Sequence, residues 1–344
     1  MKKMIRDESK AVLKKGMIRS MNVGHYLLLA CVVLLLACVV LLIPESKAEL
    51  LEIEGLTFAS YGSRELQLDL FKPKEQSEAL PAIIWIHGGG WRGGTRDSGH
   101  EMARYFAERN YVAVAISYRL SGEAPFPAQI HDCKAAVRWL RANAETYGID
   151  PERIGAIGNS AGGHLAALLA TSAGVEELEG DGGNEAFSSA LQAAVGSGAQ
   201  TDFETDRIRS MTAQPEVLAW HAFLGGSLDD NEERYQLASP RRHLDRDDPP
   251  LMIITGELDN LDTRADPIRS DMQRMNIPTG LLVIPENTHG YFKEERSAEL
   301  VLSNAAYFFD SYLKESDLLT INTARTLKHS KKASGPTTQK ESNE

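Results

Sequence analysis

The segment that most constrains how this chain can fold is residues 153–170, RIGAIGNSAGGHLAALLA. Residues 153–157 read as a short buried strand and 161–170 as an Ala/Leu-rich helix, so Gly158-Asn159-Ser160-Ala161-Gly162 must turn the chain sharply between them. A strand that passes directly into a helix belongs to a sheet covered by helices, and the rest of the chain follows that pattern. Residues 82–86 and 112–117 are continuous apolar runs, as expected of strands covered on both faces. Leu66, Leu68 and Leu70 alternate like an early, half-exposed strand. Between these, 100–109 reads as a helix, and Pro127 opens another in which Ile130, Cys133, Val137 and Leu140 recur at helical spacing. Asp150-Pro151 reads as a turn. Strands are expected again at 191–195, 251–255 and 281–284, and a last helix at 295–313 with Val301, Ala305, Phe308 and Tyr312 on one face. Residues 172–189 form a Gly/Glu/Ser-rich excursion, and 201–242 a small helical insertion over the strand ends. The fold class is α/β, with a mostly parallel sheet of about eight strands and helices on both faces.

Ser160 then has a definite place. G-x-S-x-G between a strand and a helix is the sequence form of a nucleophile elbow, in which small residues let a strained turn hold the hydroxyl above the sheet edge. The plainer alternative is a Gly-rich turn with Ser160 as a helix N-cap. His87-Gly88-Gly89-Gly90-Trp91 follows the buried strand 82–86. Residues without side chains let backbone N–H groups approach a developing oxyanion, so Gly88, Gly89 and Ala161 are the expected donors. His87 and Trp91 read as supports of that loop. Chain order in folds built on such an elbow is Ser, then acid, then His. His164 follows Ser160 too closely, His221 and His243 lie in the insertion, and His329 lies in the polar end; His289, after the strand 281–284, remains as the base. Asp259, after the strand 251–255, is the expected acid, with Asp262 and Asp202 as rivals. Asp132 reads as a structural hydrogen-bond partner and 229–233 as a solvated acidic loop. No Cys/His cluster has zinc-site spacing, and the chemistry requires no cofactor.

These residues carry a resemblance. HGGGW at 87–91, SYRL at 117–120, FPAQIHD at 126–132, YGIDPERIGAIGNSAGGHLAALLATS at 147–172, FLGG at 223–226, ASP at 238–240 and THG at 288–290 resemble the esterase/lipase branch of the α/β-hydrolases, which includes the hormone-sensitive-lipase-like enzymes. More closely, they are similar to the bacterial feruloyl-esterase-like secreted hydrolases. The resemblance spans roughly 51–313 and implies the α/β-hydrolase fold and hydrolysis of a carboxylic ester, such as an acetyl or feruloyl group on a polysaccharide, with water as second substrate. One departure concerns the acid. Similar enzymes often have His before the Gly of the acid loop and Val-Pro after the Asp, where this chain reads Thr255-Gly256-Glu257-Leu258-Asp259-Asn260-Leu261-Asp262. A prolyl-oligopeptidase-type serine peptidase would share the catalytic domain but needs a large gating domain, and a binding protein that kept the fold would not need all four chemical elements.

Charge and hydropathy bear on the ends. Residues 26–43 form an uncharged apolar run, preceded by seven Lys/Arg and followed by Ser46-Lys47-Ala48. This is the pattern of a signal peptide cleaved after Ala48. The run also approaches the bilayer-spanning minimum of about 18 residues, and Leu-Leu-Ala-Cys at 35–38 offers Cys38 for lipidation. All three versions (cleaved, membrane-anchored through 26–43, or lipid-anchored) put the body outside the cytoplasm, periplasmic or extracellular. Without residues 1–48 the chain keeps 29 basic and 45 acidic residues, a formal charge of −16, which argues against nucleic acid as a partner. Cys133 is then the one remaining cysteine and reads as core. The expected organisation is a leader or anchor at 1–48, one catalytic domain at 49–315 and a disordered polar tail at 316–344.

Overall fold

The computed structural model describes residues 49–314. The expected leader, its anchoring run with Cys38, the polar tail and His329 lie outside the described residues. An eight-stranded sheet runs in the order β1-β2-β4-β3-β5-β6-β7-β8. Its strands are β1 (Leu50–Tyr61), β2 (Arg64–Pro73), β3 (Leu80–Ile86), β4 (Val112–Ile116), β5 (Ile149–Asn159), β6 (Ala193–Ser197), β7 (Leu251–Gly256) and β8 (Thr279–Ile284). β1 and β2 pair antiparallel, as do β2 and β4. From β4 through β8 every pairing is parallel.

Strand periodicity divides the core into two layers. Ala82, Ile84 and Ile86 of β3 face the layer beneath α2 (Ala128–Ala142) and α3 (Ala161–Thr171). Ile83 faces the opposite layer, beneath α1 (His100–Ala107) and α9 (Glu295–Leu313), where Phe106 and Phe309 meet edge to face at 5.7 Å. Burial on both faces explains why β3, β4, β6 and β7 are unbroken apolar or small-residue runs. β2 departs from the half-exposed expectation: alternation holds at its first residues, but Leu68 is followed by buried Asp69, Leu70 and Phe71, because helices cover both sides there.

Asp150-Pro151 lies inside β5 rather than before it. The ladder with β3 passes from Leu80↔Ile149 to Ala82↔Ile154, so residues 150–153 bulge out of register. The bulge is where a proline without an N–H is tolerated within a strand. On α9 the buried face is Val301, Ala305, Phe308, Phe309 and Leu313; Tyr312 is 42% exposed and lies at its margin.

The insertion above the strand ends holds α4 (Asp206–Thr212), α5 (Leu218–Leu224) and α6 (Glu232–Leu237). The excursion after α3 is fastened by Glu179, which pairs with buried Lys134 at 2.7 Å and Arg138 at 3.2 Å. Removing one member of such a buried group typically costs about 3–5 kcal/mol. After β7 come α7 (Leu261–Arg264) and α8 (Asp266–Met275). Cys133 is fully buried, and burial pushes its thiol up.

Candidate active site

β5 ends at Asn159, and Ser160 stands at φ 55°, ψ −118°, a left-handed backbone that a residue with a side chain adopts only under constraint. Its N–H donates to the Ser197 carbonyl at 2.7 Å. The turn is tight enough that a Cβ on Gly162 would lie 2.0 Å from the Ile86 carbonyl oxygen, so the second glycine of the pentapeptide is required by close packing against β3. Ser160 makes no side-chain cap to α3. Its Oγ lies 2.7 Å from His289 Nε2, and His289 Nδ1 lies 2.7 Å from Asp259 Oδ2. An ionised carboxylate can only accept, so Nδ1 carries the proton and Nε2 presents its lone pair to the hydroxyl.

The loops that bring Asp259 and His289 together are laced across the ends of β7 and β8. Glu257 N–H donates to Ile284 O at 3.0 Å, and Leu258 N–H to Asn287 O at 2.9 Å. Glu286 N–H donates to the Glu257 carboxylate at 2.9 Å. A Cβ on Gly256 would lie 2.3 Å from Asn287 O, so the departure Thr255-Gly256-Glu257 keeps the one residue that this crossing needs. Asp259 is 3% exposed. Of its rivals, Asp202 pairs with Arg241 at 2.7 Å, and Asp262 is exposed on α7.

The glycine loop differs from expectation at one position. The Gly88 N–H donates to Asn159 Oδ1 at 3.0 Å and so is committed within the protein. The Gly89 carbonyl accepts from Arg92 N–H and Gly93 N–H at 3.2 and 3.1 Å. The N–H groups of Gly89, Gly90 and Ala161 have no partner among the described residues, and Gly90 borders both cavities that meet Ser160. The donor set that the geometry offers is therefore Gly89, Gly90 and Ala161.

The supports of this loop are substantial. His87 donates from Nδ1 to the Gly88 carbonyl at 2.8 Å and stacks on Tyr118 at 4.2 Å, and Tyr118 Oη donates to the His87 carbonyl. Trp91 stacks on Phe223 of α5 at 4.2 Å and donates from Nε1 to His164 Nδ1 at 3.1 Å. His164 donates in turn from Nε2 to the Ala238 carbonyl at 2.7 Å. Accepting at Nδ1 while donating from Nε2 needs a neutral ring, and burial holds His164 down to a pKa of about 4. His221 and His243 bond the carbonyls of Thr212 and Leu237. Asp132, fully buried, accepts from Arg119.

One cavity of about 560 Å³ opens from Ser160 toward α1 and α9, between Trp85, Met102, Phe292, Val301 and Leu302. A smaller one of about 200 Å³ lies on the His289 side, with Gln200, Trp220 and Arg264. Asp69, Asp97 and His100 form a group of metal-ligating types. However, Arg96 and His100 both lie 2.8 Å from Asp69 Oδ2, and Gly55 N–H donates to Oδ1, so a guanidinium already occupies the cation's place.

Sequence reasoning passes over Asn159, Arg264 and Tyr291. Tyr291, two residues after His289, donates to the Ile254 carbonyl at 2.9 Å and lies 2.8 Å from Ser197 Oγ, tying the histidine loop to the sheet. Asn159 is one of the two variable positions of the pentapeptide, and no periodicity marks Arg264.

The BD-FAE family model matches residues 68–265, which include Ser160 and Asp259. Esterase LipC of Mycobacterium tuberculosis is 29% identical over 238 residues, covering 67% of this chain and 58% of LipC. The chain spans about half the length of the curated relatives it matches. A truncated carbohydrate esterase from gut microbiota superposes with a TM-score of 0.65 at 26% identity, over 77% of this chain and 99% of that one. Esterase Est2 of Thermogutta terrifontis does so at 0.63 and 26%, over 79% and 96%. With the elbow, the sheet order and this match over more than half its length, the chain belongs to the BD-FAE family of α/β-hydrolases.

Proposed function

We propose that the chain is a serine carboxylesterase that cleaves its ester through an acyl-enzyme on Ser160. The unbroken hydrogen-bond chain Ser160–His289–Asp259 carries this reading. His289 Nε2 takes the hydroxyl proton as Ser160 Oγ bonds to the carbonyl carbon, and the carbonyl electron pair moves onto oxygen, where the N–H groups of Gly89, Gly90 and Ala161 receive it. Collapse of that intermediate breaks the bond to the alcohol oxygen, which leaves with the proton from His289. Water then gives its proton to His289 as it attacks the acyl carbon, and Ser160 departs as the hydroxyl.

The apolar cavity toward α1 and α9 suits an acyl or aryl group, and the smaller cavity beside His289, between Trp220 and Gln200, is left for the alcohol side. Together they favour an acetyl or feruloyl ester of a carbohydrate. The catalytic domain is 49–315, exported by or anchored through the leader at 1–48, with 316–344 as a tail; amino-terminal sequencing of the exported protein tests the leader. Hydrolysis of p-nitrophenyl acetate, p-nitrophenyl butyrate and methyl ferulate, beside Ser160→Ala, tests the activity. Turnover lost in the variant supports the reading. Folded wild type with neither turnover nor an acyl burst rejects it.

A further inference from the structure

Behind the three reacting side chains lies a buried cation with no step of its own in this chemistry. Arg264 closes α7, and its side chain is 12% exposed. Its Nε lies 3.1 Å from Asp259 Oδ1, the carboxylate oxygen that His289 does not use. This is an ion-pair contact rather than a straight hydrogen bond. Nη1 donates to the Gly198 carbonyl at 2.8 Å. The backbone around it is tied to the same neighbours: Thr201 Oγ1 donates to the Arg264 carbonyl at 2.6 Å, and Gln200 Nε2 to the Thr263 carbonyl at 3.2 Å.

Gly198 matters because it walls the histidine. It holds φ +62°, and a Cβ there would lie 3.0 Å from His289 Cε1 and 3.6 Å from the Ser160 nitrogen. Arg264 thus fixes the free edge of the Asp259 carboxylate with one end and the peptide beside His289 with the other. A guanidinium is costly to bury without partners. Burial works to strip its proton and Asp259 to retain it. The partner it uses is the same carboxylate that orients the base.

We propose that Arg264 is a positioning residue for the reaction, its guanidinium holding Asp259 and the Gly198 carbonyl in register behind His289. The proposal rests on the esterase reading for its rates but not for its geometry. A positive charge lodged against Asp259 opposes a second one on His289. Removing it favours the imidazolium, so the acid limb of the rate must move to higher pH. The charged and titratable groups around the pair are Asp259 and Arg264 after β7, Arg207 of α4, and Tyr291 beyond His289. Glu257, Asp262 and Glu286 lie exposed on the same loops.

Arg264 also borders the smaller cavity, so the test must separate positioning from substrate contact. Wild type, Arg264→Met and Arg264→Lys are compared by the rate at which a neutral fluorophosphonate labels Ser160 between pH 5 and 9, and by kcat and KM on p-nitrophenyl acetate. Met is expected to raise the midpoint of the acid limb by about one pH unit. It should also lower kcat about 10–100-fold, with KM within about threefold. Lys keeps the charge but not the planar two-sided reach, so its acid limb stays in place while its rate falls. A folded Met variant with the wild-type acid limb overturns the proposal. So does a Lys variant with wild-type rate, or one whose acid limb moves. If Met does not fold, the Lys outcomes decide alone. Labelling needs no ester: a protein that labels readily yet hydrolyses none refutes the esterase reading and leaves this test intact.

Discussion

The two sides of Ser160 are built by different means. On one side, the glycine loop and α3 are set by contiguous sequence and closed by the core, with Trp91 sandwiched beside Phe223 and His164 wholly buried. On the other, Asp259 and Arg264 come from the segment after β7 and His289 from the segment after β8, joined by side-chain and loop-to-loop bonds, and the His289 side chain is 39% exposed. The first side is held by burial and the second by specific polar contacts. Damage on the first should therefore appear as lost stability, and damage on the second as lost rate in a protein that still folds.

The largest separation between the two is expected at Asp259. Asp259→Asn keeps the shape but lets Nδ1 lose its obligatory acceptor, so the wrong tautomer faces Ser160. A fall in kcat of about 10⁴ is expected in a protein that still folds, with a thermal midpoint lowered because buried Arg264 loses its carboxylate partner. Asp262→Asn, three residues on and exposed, should leave kcat within about twofold, as an ordinary surface change. Steady-state kinetics and thermal melts on both variants decide. Equal losses at 259 and 262 would mean that the acid loop moves as a unit.

The same division governs what is legible in the sequence. The elbow and the HGGGW loop are contiguous, so strand–turn–helix patterning alone marks out Ser160, Ala161 and the glycines. His289 and Asp259 are reachable only through chain order along the sheet. Arg264 is not reachable, because its meaning lies in a contact with Gly198, 66 residues earlier, which leaves no local trace. The assignment of Gly88 fails for a related reason: which glycine N–H is free depends on where the Asn159 side chain turns, and composition says nothing of that. Similarly, the Asp150-Pro151 signal is real, but a bulge inside β5 satisfies it as well as a turn preceding the strand.

On the buried side, His164 makes stability a function of pH. Its folded-state pKa is about 4 against an ordinary 6.5. Between those values the unfolded chain binds a proton that the folded chain does not, so stability is complete above pH 6.5 and declines as pH falls toward 4. The full difference is about 3 kcal/mol. Urea titrations at pH 7, 5.5 and 4.5 should show the decline. His164→Gln, which can still bridge Trp91 and the Ala238 carbonyl without titrating, should flatten it. An unchanged slope in the variant would assign the pH dependence to other groups.

The smallest effect tests where the two sides meet. Asn159 sits next to Ser160, yet its side chain binds the glycine loop through the Gly88 N–H. Asn159→Ala removes the acceptor and leaves that N–H without a partner beside the N–H groups of Gly89 and Gly90. If the glycine loop is held mainly by the packing of Trp91 and His87, it stays in place. The cost is then slight disorder in the oxyanion donors: a fall in kcat of about tenfold, less than the 10²–10³ typical of losing a donor outright, with little change in KM or melting temperature. A loss of several degrees instead would show that the Asn159 bond, rather than the buried aromatic sandwich, fixes the loop, and the contrast between a packed side and a hydrogen-bonded side would fail at its closest point to Ser160. A rise in kcat would carry a different message: the freed Gly88 N–H would have joined Gly89, Gly90 and Ala161 as a donor to the oxyanion.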